Sequence, residues 1–549
     1  MDLDLPELTR PLVARLCVVA LVAVLLIPSG VSALTHEPVE LQAGAIDEPA
    51  NGTTVIAVQG FKGRGQNSSK KPARLVGVGP SGDLEWNYEP QDDVTWFYDV
   101  DPLDDGTLLV TGVTRDGTTV VKYDPATDSR VWTERLDAHD THDVDLINGD
   151  QLLVANMRNY NETTETNDDR LFVYNRTTGE TVWEYRFERI YDRGDTSGGS
   201  GGYTGDWTHV NDIDKLGDGR YMASPRNMDE VVVVNRSTKE VELSLGAPGD
   251  HSVIYEQHNP NYIEREDGTP TILVADSEND RVVEYEYAGG EGRNATWERT
   301  WNLGVDGNLN WPRDADRLPS GNTLVTDSLN HRVMEVTPDG EVVWEYYAPW
   351  GTYEAERIYL GDEPGGPTIA DQNATGAYGL NGSAALTPGA TERATFASWL
   401  HSTFDGTLVS GQVDWFAERW AHIAPWVRPV WMDPWAFVAF LGAAVVTVGW
   451  AGGEAVYHRR WIAGRLRRRR VESLGRLTGP RLDGFCGTEP NSSRPQKSAS
   501  TEPSSERSTT PSKRARKSSS SSSSWTPFAR WNRPTASCSS SRSRMASTA

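Results

Sequence analysis

The chain has 549 residues and a formal net charge of −25, and a surface this negative repels nucleic acid, which excludes a nucleic-acid-binding core. Its three cysteines, Cys17, Cys486 and Cys538, leave residues 18–485 without disulfides, a cysteine nucleophile or a thiolate metal site. Arginine greatly outnumbers lysine, and an acidic, lysine-poor surface is typical of a halophilic protein, in which salt screens the self-repulsion. The alternative is simply an acidic secreted domain.

An apolar segment near the N-terminus indicates export. It covers residues 17–27 after two arginines, and Val31–Ala33 follows it where a signal peptidase would cut. We predict a signal peptide or an uncleaved anchor over residues 1–33, which places the following residues outside the cell. Eight N-x-S/T sequons between residues 34 and 434 agree with an exported glycoprotein. They begin at Asn51, Asn67, Asn161, Asn175, Asn235, Asn294, Asn373 and Asn381.

Residues 51–349 contain an internal repeat of about 40–50 residues. Each unit has an Asp-rich opening, an apolar run after a glycine turn, a valine-rich run, and a last strand that ends near a tryptophan. The apolar runs of five units are Thr107–Val113, Gln151–Met157, Arg220–Ser224, Thr271–Asp276 and Asn322–Asp327. Six copies, the first incomplete, predict an all-β, six-bladed β-propeller, with a β-sandwich as the alternative. We expect strands from both ends to close the ring, because an open ring would expose strand edges.

A second apolar stretch lies near the C-terminus. Trp435 to Gly453 carry no charge, and several arginines follow them. We predict a transmembrane helix over residues 435–457, with the propeller on the extracellular side of a single-pass protein in the cell membrane. A buried core helix is the alternative. Residues 350–434 are expected to form a juxtamembrane linker.

The last segment, residues 458–549, is basic and rich in serine, so we expect it to be disordered. The abrupt change from an acidic to a basic composition also motivates the hypothesis of a frameshift after about residue 475. An intact reading frame on resequencing would refute that hypothesis.

Candidate site residues follow from propeller geometry. The innermost strand of each blade faces the central channel, so the side chains just before each Asp-rich opening converge. These residues are Tyr98, His142, His209, His258 and Arg313. Imidazoles and guanidinium groups suit a tetrahedral oxyanion, which an imidazole can also attack. A three-histidine metal site and histidines that only cap strands are the alternatives. Arg226, which ends a neighbouring strand, favours the anion because a guanidinium repels a bound cation.

Four segments together resemble the PAPS-independent arylsulfate sulfotransferases, in a haloarchaeal-like, membrane-anchored form. They are His209–Asp214, Ser224–Asn227, Glu256–His258 and Thr141–Asp143. The resemblance implies an exported six-bladed propeller that moves a sulfuryl group from an aryl sulfate ester to a phenolic acceptor through a sulfohistidine, without a cofactor or metal. It implies His258 as the catalytic nucleophile and His142, His209 and Arg226 as sulfate-binding residues. Arg313 and Tyr98 join the substrate-binding set because of their channel positions.

The resemblance extends over about residues 95–350. The bacterial members carry an additional N-terminal β-domain and a disulfide that this chain lacks. Asn175–Trp183 also resembles the tryptophan-docking strand of quinoprotein-type propellers. Aromatic residues that could stack on a substrate ring are Tyr98, Trp207 and Trp311.

The expected partners are a small aryl sulfate, a phenol and the membrane, but no nucleic acid. Two other functions stay open. One is a non-catalytic cell-surface propeller that binds a ligand or partner, since Asp327–Val333 resembles the NHL repeat. The other is a metal-dependent lyase or lactonase that uses the three channel histidines as ligands.

Overall fold

The computed structural model describes residues 10–459 apart from 38–39, 62–70, 91–93, 197–201, 218, 306 and 385–394. Six antiparallel sheets surround a central channel, which confirms the predicted six-bladed β-propeller. Each blade has four strands in the order innermost to outermost. Apolar side chains from facing sheets fill the space between blades, as Val55 and Leu75 of blade 1 do against Val100 and Val110 of blade 2.

The strands of the first three blades are given from the channel outward. Blade 1 consists of Thr352–Arg357, Thr54–Val58, Arg74–Val78 and Leu84–Tyr88. Blade 2 consists of Trp96–Pro102, Leu108–Val113, Thr118–Asp124 and Ser129–Leu136. Blade 3 consists of Val144–Ile147, Gln151–Asn156, Arg170–Asn175 and Glu180–Arg186. A small hairpin in blade 3 pairs Tyr160–Asn161 with Thr166–Asn167.

The other three blades follow the same order. Blade 4 consists of Val210–Leu216, Arg220–Pro225, Glu230–Asn235 and Val241–Gly246. Blade 5 consists of His258–Glu264, Pro270–Asp276, Arg281–Gly289 and Thr296–Leu303. Blade 6 consists of Pro312–Arg317, Thr323–Asp327, Arg332–Val336 and Val342–Tyr347.

Strands from both ends of the propeller close the ring. Thr352–Arg357, which lies after the range 51–349 expected for the propeller, is the innermost strand of blade 1. Gln42–Ile46, which lies before that range, pairs with the outermost strand of blade 6. Gly376–Tyr378 adds a parallel strand to the outer edge of blade 5. The propeller therefore uses segments on both sides of the expected range, and residues 350–434 are more than a linker.

At three junctions a tryptophan on the outermost strand of one blade binds the next blade. The indole N–H of Trp183 in blade 3 donates to the carbonyl of Arg236 in blade 4 at 2.8 Å. Two further bonds of this kind run from Trp301 to Pro338 (2.9 Å) and from Trp344 to Pro80 (3.1 Å). Trp183 thus forms the inter-blade contact that its resemblance to a docking strand implies.

Acidic side chains on the innermost strands also connect neighbouring blades. At four junctions a carboxylate oxygen accepts a hydrogen bond from a backbone N–H of the next innermost strand. The donors and acceptors are Val100 to Glu354 (2.9 Å), Val144 to Asp99 (3.2 Å), Ile213 to Asp143 and Ala355 to Asp314 (3.0 Å). Buried N–H groups require partners, and these carboxylates supply them across the blade junctions.

Within the described residues, four α-helices lie outside the sheets. Helix α1 is Arg10–Thr35 and helix α4 is Pro434–Tyr457, and by length and composition both are candidate membrane spans. Helix α4 begins at the N-cap Asp433 and closely matches the predicted transmembrane helix. Helices α2, Phe396–Phe404, and α3, Ser410–Val427, fall within the expected linker. Residues 460–549 lie outside the described part of the chain. The predicted disorder of the tail and the frameshift hypothesis concern this segment.

Candidate active site

The residues predicted to converge on the channel do come together at one mouth. The Tyr98 and His142 rings lie 3.9 Å apart between centroids, and the His142 and His209 rings lie 5.0 Å apart. His258 and Arg313 approach the same tyrosine, Tyr353, at 5.9 Å between ring centroids and 4.8 Å from guanidinium to centroid. The ladder register of blades 2, 4, 5 and 6 shifts at this level. Such shifts re-aim side chains, here at the start of the innermost strands.

His258 is held in a single tautomer by its neighbours. Its Nδ1 lies 2.8 Å from the hydroxyl of Ser277, and that hydroxyl donates to the carbonyl of Pro312 at 2.6 Å. A serine hydroxyl has one hydrogen, so Ser277 must accept the Nδ1–H of His258, which leaves a lone pair on Nε2. Burial, with the charges of Arg313 and Arg226, lowers the pKa of His258 well below its usual value. The imidazole is therefore neutral, and in this tautomer its lone pair is on Nε2.

His209 forms a pair with a carboxylate. Its Nδ1 lies 2.7 Å from Asp206, which Arg158 also binds at 3.0 Å. Burial alone would raise the pKa of Asp206, but His209 and Arg158 together lower it below the usual range. Burial, followed by the charge of Arg226, lowers the pKa of His209 to about 4. Its Nε2 is buried and has no hydrogen-bond partner among the described residues.

His142 makes a hydrogen bond to a tyrosine that the sequence analysis missed. Its Nδ1 lies 2.9 Å from the hydroxyl of Tyr353, on the strand that closes the ring. Burial raises the pKa of Tyr353 well above its usual value, so the phenol keeps its proton and can donate it to Nδ1. Burial and His209 lower the pKa of His142, which keeps the imidazole neutral. In this arrangement the Nε2–H of His142 is available as a donor.

Two arginines supply positive charge to the site. Arg313 lies 4.6 Å from the ring of Trp311 and donates from Nη1 to Gln59 at 2.6 Å. Its Nε is buried without a partner in the described structure. Arg226 lies nearer the rim, where Nη2 is 3.3 Å from the carboxylate of Glu256. Its charge still helps to lower the pKa values of His209 and His258, so it acts on the same site.

Several buried polar atoms at this mouth have no hydrogen-bond partner in the described residues. They include His209 Nε2, Trp311 Nε1 and Arg313 Nε. A buried polar group without a partner costs about 1–3 kcal/mol, so three in one place call for an explanation. The Trp and Arg groups are donors, and an anion with several oxygens would satisfy them.

Sequence reasoning missed three positioning residues and misplaced one aromatic. Tyr353 lies after the recognised repeats, and Ser277 occupies the turn position that Arg226 has in the preceding blade. Asp206 lies only three residues before His209, and this short spacing could have identified it as a partner of the imidazole. Trp207 packs against Tyr203 in the core of blades 3 and 4, so its prediction as a stacking residue was wrong.

Helix α3 packs against residues at the mouth. Its His422 ring stacks on Trp311 with 6.0 Å between centroids, and His422 Nε2 lies 3.0 Å from Asp280. Its Arg419 pairs with Glu278 at 2.8 Å. Burial alone would lower the pKa of His422, but hydrogen bonds to Asp280 and Glu278 raise it to about 10. The helix is therefore held to blade 5 by two cationic side chains.

Residues 52–286 match the model of the arylsulfotransferase (ASST) family. The match supports the assignment of these residues to the arylsulfotransferase family. It covers less than half of the chain and contains Tyr98, His142, His209, Arg226 and His258, but ends before Arg313 and Tyr353. A search of curated proteins found no match.

Two solved structures have low similarity to the chain. A protein of unknown function from Bacteroides caccae is 12% identical, with 56% of this chain and 98% of that chain covered and a TM-score of 0.37. Virginiamycin B lyase from Staphylococcus aureus is 10% identical, with 56% and 88% covered and a TM-score of 0.32. At these scores the similarity says nothing about the reaction of this chain.

The three-histidine metal site is not favoured by the geometry. Of the described residues, those whose spacing suits a metal ion are all carboxylates, and they do not include His142, His209 or His258. The positive charges of Arg226 and Arg313 beside these imidazoles would also repel a metal ion.

The pKa of His422 predicts how the docking of α3 depends on pH. The pKa is raised in the folded state, so the stabilisation is complete below about pH 6.5, the usual value, and is lost as pH rises toward about 10. We expect His422→Gln to lower the free energy of unfolding at pH 6 by on the order of 2 kcal/mol, with a much smaller effect at pH 10. Denaturant unfolding at both pH values measures this. The exposed His139→Gln serves as control, and an equal effect of His422→Gln at both pH values would contradict the assignment.

Proposed function

We propose that this protein is an aryl sulfotransferase that moves a sulfuryl group from an aryl sulfate ester to a phenolic acceptor through a sulfohistidine at His258. The arylsulfotransferase match over residues 52–286 supports the reaction class. The observation that carries the mechanism is the hydrogen bond of His258 Nδ1 with Ser277, which leaves the imidazole lone pair on Nε2, beside buried cationic groups.

In the first half-reaction the sulfate group of the donor binds at the channel mouth. Arg313, Arg226 and the Nε2–H of His142 hold its oxygens and stabilise charge on them in the transition state. The Nε2 lone pair of His258 attacks sulfur while the bond from sulfur to the phenolic oxygen breaks. The electron pair of that bond leaves with the phenolate, and the sulfuryl group stays on Nε2.

In the second half-reaction a phenol takes the place of the released product. Its oxygen attacks sulfur, the bond from sulfur to His258 Nε2 breaks, and the electron pair returns to the imidazole. The proton that the acceptor loses balances the one that the first phenolate takes up. Dividing the transfer in this way replaces one high barrier with two lower ones and gives ping-pong kinetics.

The pair of His209 and Asp206 gives the site a group that responds to the substrate. An anion near Nε2 of His209 favours the protonated imidazole, which Asp206 supports from Nδ1. The protonated His209 then donates to a sulfate oxygen, so its positive charge is present when the anion is bound. Tyr98 and Trp311 are the proposed walls for the aromatic ring.

Access to the site requires α3 to move. His142, His209 and His258 are all buried, and α3 packs on Trp311 above them. A further aromatic contact holds the end of the helix, where Trp426 stacks on Phe61 with 4.1 Å between centroids. We propose that α3 opens to admit a substrate and then closes to exclude water, which would otherwise hydrolyse the sulfohistidine.

For the location we propose an extracellular, halophilic and glycosylated propeller held at the membrane by α4. Helix α1 pairs with α4, with Arg15 near one end binding Glu454 at 2.7 Å and Ser32 near the other donating to the Trp431 carbonyl at 2.9 Å. The two helices are antiparallel, so an uncleaved α1 would place both chain ends on one side of the membrane and the propeller on the other. Cleavage after residue 33 would leave a single span.

His258→Ala should abolish turnover, because no other imidazole at the mouth has Nδ1 bonded to a serine. The assay measures the release of a chromogenic phenol from its sulfate ester, with and without a phenolic acceptor, using the purified full-length chain. We expect a loss of at least about 1,000-fold, and the exposed His139→Ala as control should leave the rate unchanged. Near-normal turnover in His258→Ala would refute the nucleophile. No turnover in the folded wild type would favour the ligand-binding propeller.

Ser277→Ala tests the tautomer of His258. Without the hydroxyl, Nδ1–H loses its acceptor and the Nε2 lone pair is no longer enforced, so we expect kcat to fall roughly tenfold while KM changes little. Ser328→Ala is a matched control, since Ser328 is buried in the corresponding turn of blade 6. Equal kcat values for the two variants would remove Ser277 from the mechanism.

A further inference from the structure

A second cluster of charged side chains lies in the channel below the histidines. Five of the six innermost strands carry two acidic residues separated by one apolar residue, and the exception is Asn259-Pro260-Asn261 in blade 5. The acidic pairs are Asp99 and Asp101, Asp143 and Asp145, Asp212 and Asp214, Asp314 and Asp316, and Glu354 and Glu356. Asp362 and Glu363, from the segment after the closing strand, join most of these at a cavity of about 20 Å³.

The cluster has no compensating positive charge at its cavity. None of the described residues that line the cavity is a lysine, arginine or histidine. Several ionised carboxylates buried together repel one another and each also loses its hydration, so a cation or protonation of the carboxyl groups must balance them. Room for about one water-sized sphere remains in the cavity, which is sufficient for one metal ion.

A separate observation points to a ligand in this cavity. The Oδ2 atoms of Asp212, Asp214 and Asp316 have no hydrogen-bond partner in the described part of the chain. These three residues line the cavity and are only 6%, 7% and 4% exposed. For Asp212 the cause is visible in the sequence. At other junctions the first carboxylate binds the N–H of the middle residue on the next innermost strand, but here that residue is Pro260, which has no N–H.

We propose that this cavity binds a divalent cation of the calcium type, with Glu354, Glu356 and Asp362 as the central ligands. One carboxylate oxygen from each of these residues lies within 4.8 Å of the other two. The unpartnered oxygens of Asp212, Asp214 and Asp316 surround the same cavity. Calcium takes six to eight oxygen ligands in flexible geometry, whereas magnesium demands a regular octahedron and retains several waters. A crowded, irregular and all-carboxylate cluster therefore fits calcium better.

This site departs from the expectation of a metal-free protein, and it is distinct from the three-histidine site considered above. Its central ligands come from the closing strand and from Asp362, whereas the other carboxylates, apart from Glu363, come from blades 2, 3, 4 and 6. A cation there connects the closing strand with the carboxylates of blades 4 and 6. It also offsets negative charge just below the mouth, where Tyr353 directly precedes Glu354.

The test measures binding of calcium to the full-length chain purified in detergent and stripped with a chelator. Titration calorimetry should show saturable binding of Ca²⁺, and the thermal unfolding midpoint should rise by at least about 3 °C with Ca²⁺. Ca²⁺ should bind at least tenfold more tightly than Mg²⁺ in the same high-salt buffer. Equal effects of Ca²⁺, Mg²⁺ and added Na⁺ would mean general screening and would overturn the proposal.

A charge-neutral variant and a matched control identify the ligands. Glu356→Gln with Asp362→Asn keeps the side-chain volume but removes two charged ligands, so Ca²⁺ affinity should fall at least tenfold and the thermal shift should be lost. Glu298→Gln, an exposed acid on the outer strand of blade 5, should keep both. If the double variant fails to fold, the metal content of the wild type decides, with about one bound Ca²⁺ per chain expected. No saturable Ca²⁺ binding by the stripped wild type would overturn the proposal, whatever the result of the sulfotransferase assay.

Discussion

The closing strand, Thr352–Arg357, is the constraint on which the whole channel depends. It comes from the far end of the propeller and pairs with Thr54–Val58 as the innermost strand of blade 1. Its Tyr353 binds His142 at the mouth, while Glu354 and Glu356 line the acidic cavity below. A closed ring keeps the six innermost strands in fixed relation, so side chains from separate blades can meet with the accuracy that a catalytic site requires.

The channel separates two electrostatic environments over a short distance. Arginines and imidazoles lie at the mouth, and carboxylates lie on the next residues of the same strands. In the proposed account an anionic substrate binds in the first region and a cation in the second, so that each ligand offsets the charge that surrounds it. Burial is the largest cause of the lowered pKa values of the three histidines, and none of them is directly paired with the carboxylates below.

The fold could be predicted from the sequence because a propeller repeats a local pattern. The strand–turn spacing and the recurring tryptophans predicted six blades, and the structure has six. The closing strand was harder to assign, since Thr352–Arg357 is separated in sequence from the other three strands of its blade. Only the requirement that a ring be closed pointed to such a strand, without saying where it was.

The candidate site could be predicted in part for a related reason. Residues at equivalent positions of successive blades, such as His142 and His209, follow from the repeat. Their partners do not, because Tyr353 and Ser277 reach the histidines through tertiary contacts that no spacing in the sequence reveals. Trp207 is the opposite case, an aromatic residue close to the site in sequence whose side chain the packing of two blades directs into the core.

The central claim is that His258 carries the sulfuryl group between donor and acceptor. The most direct measurement is mass spectrometry of the full-length protein after incubation with an aryl sulfate alone, kept at neutral or alkaline pH, followed by peptide mapping. The account predicts one added SO₃ group on the peptide that contains His258, and its loss when a phenol is added. Turnover with no added group on His258, or with the group on another residue, would contradict the account.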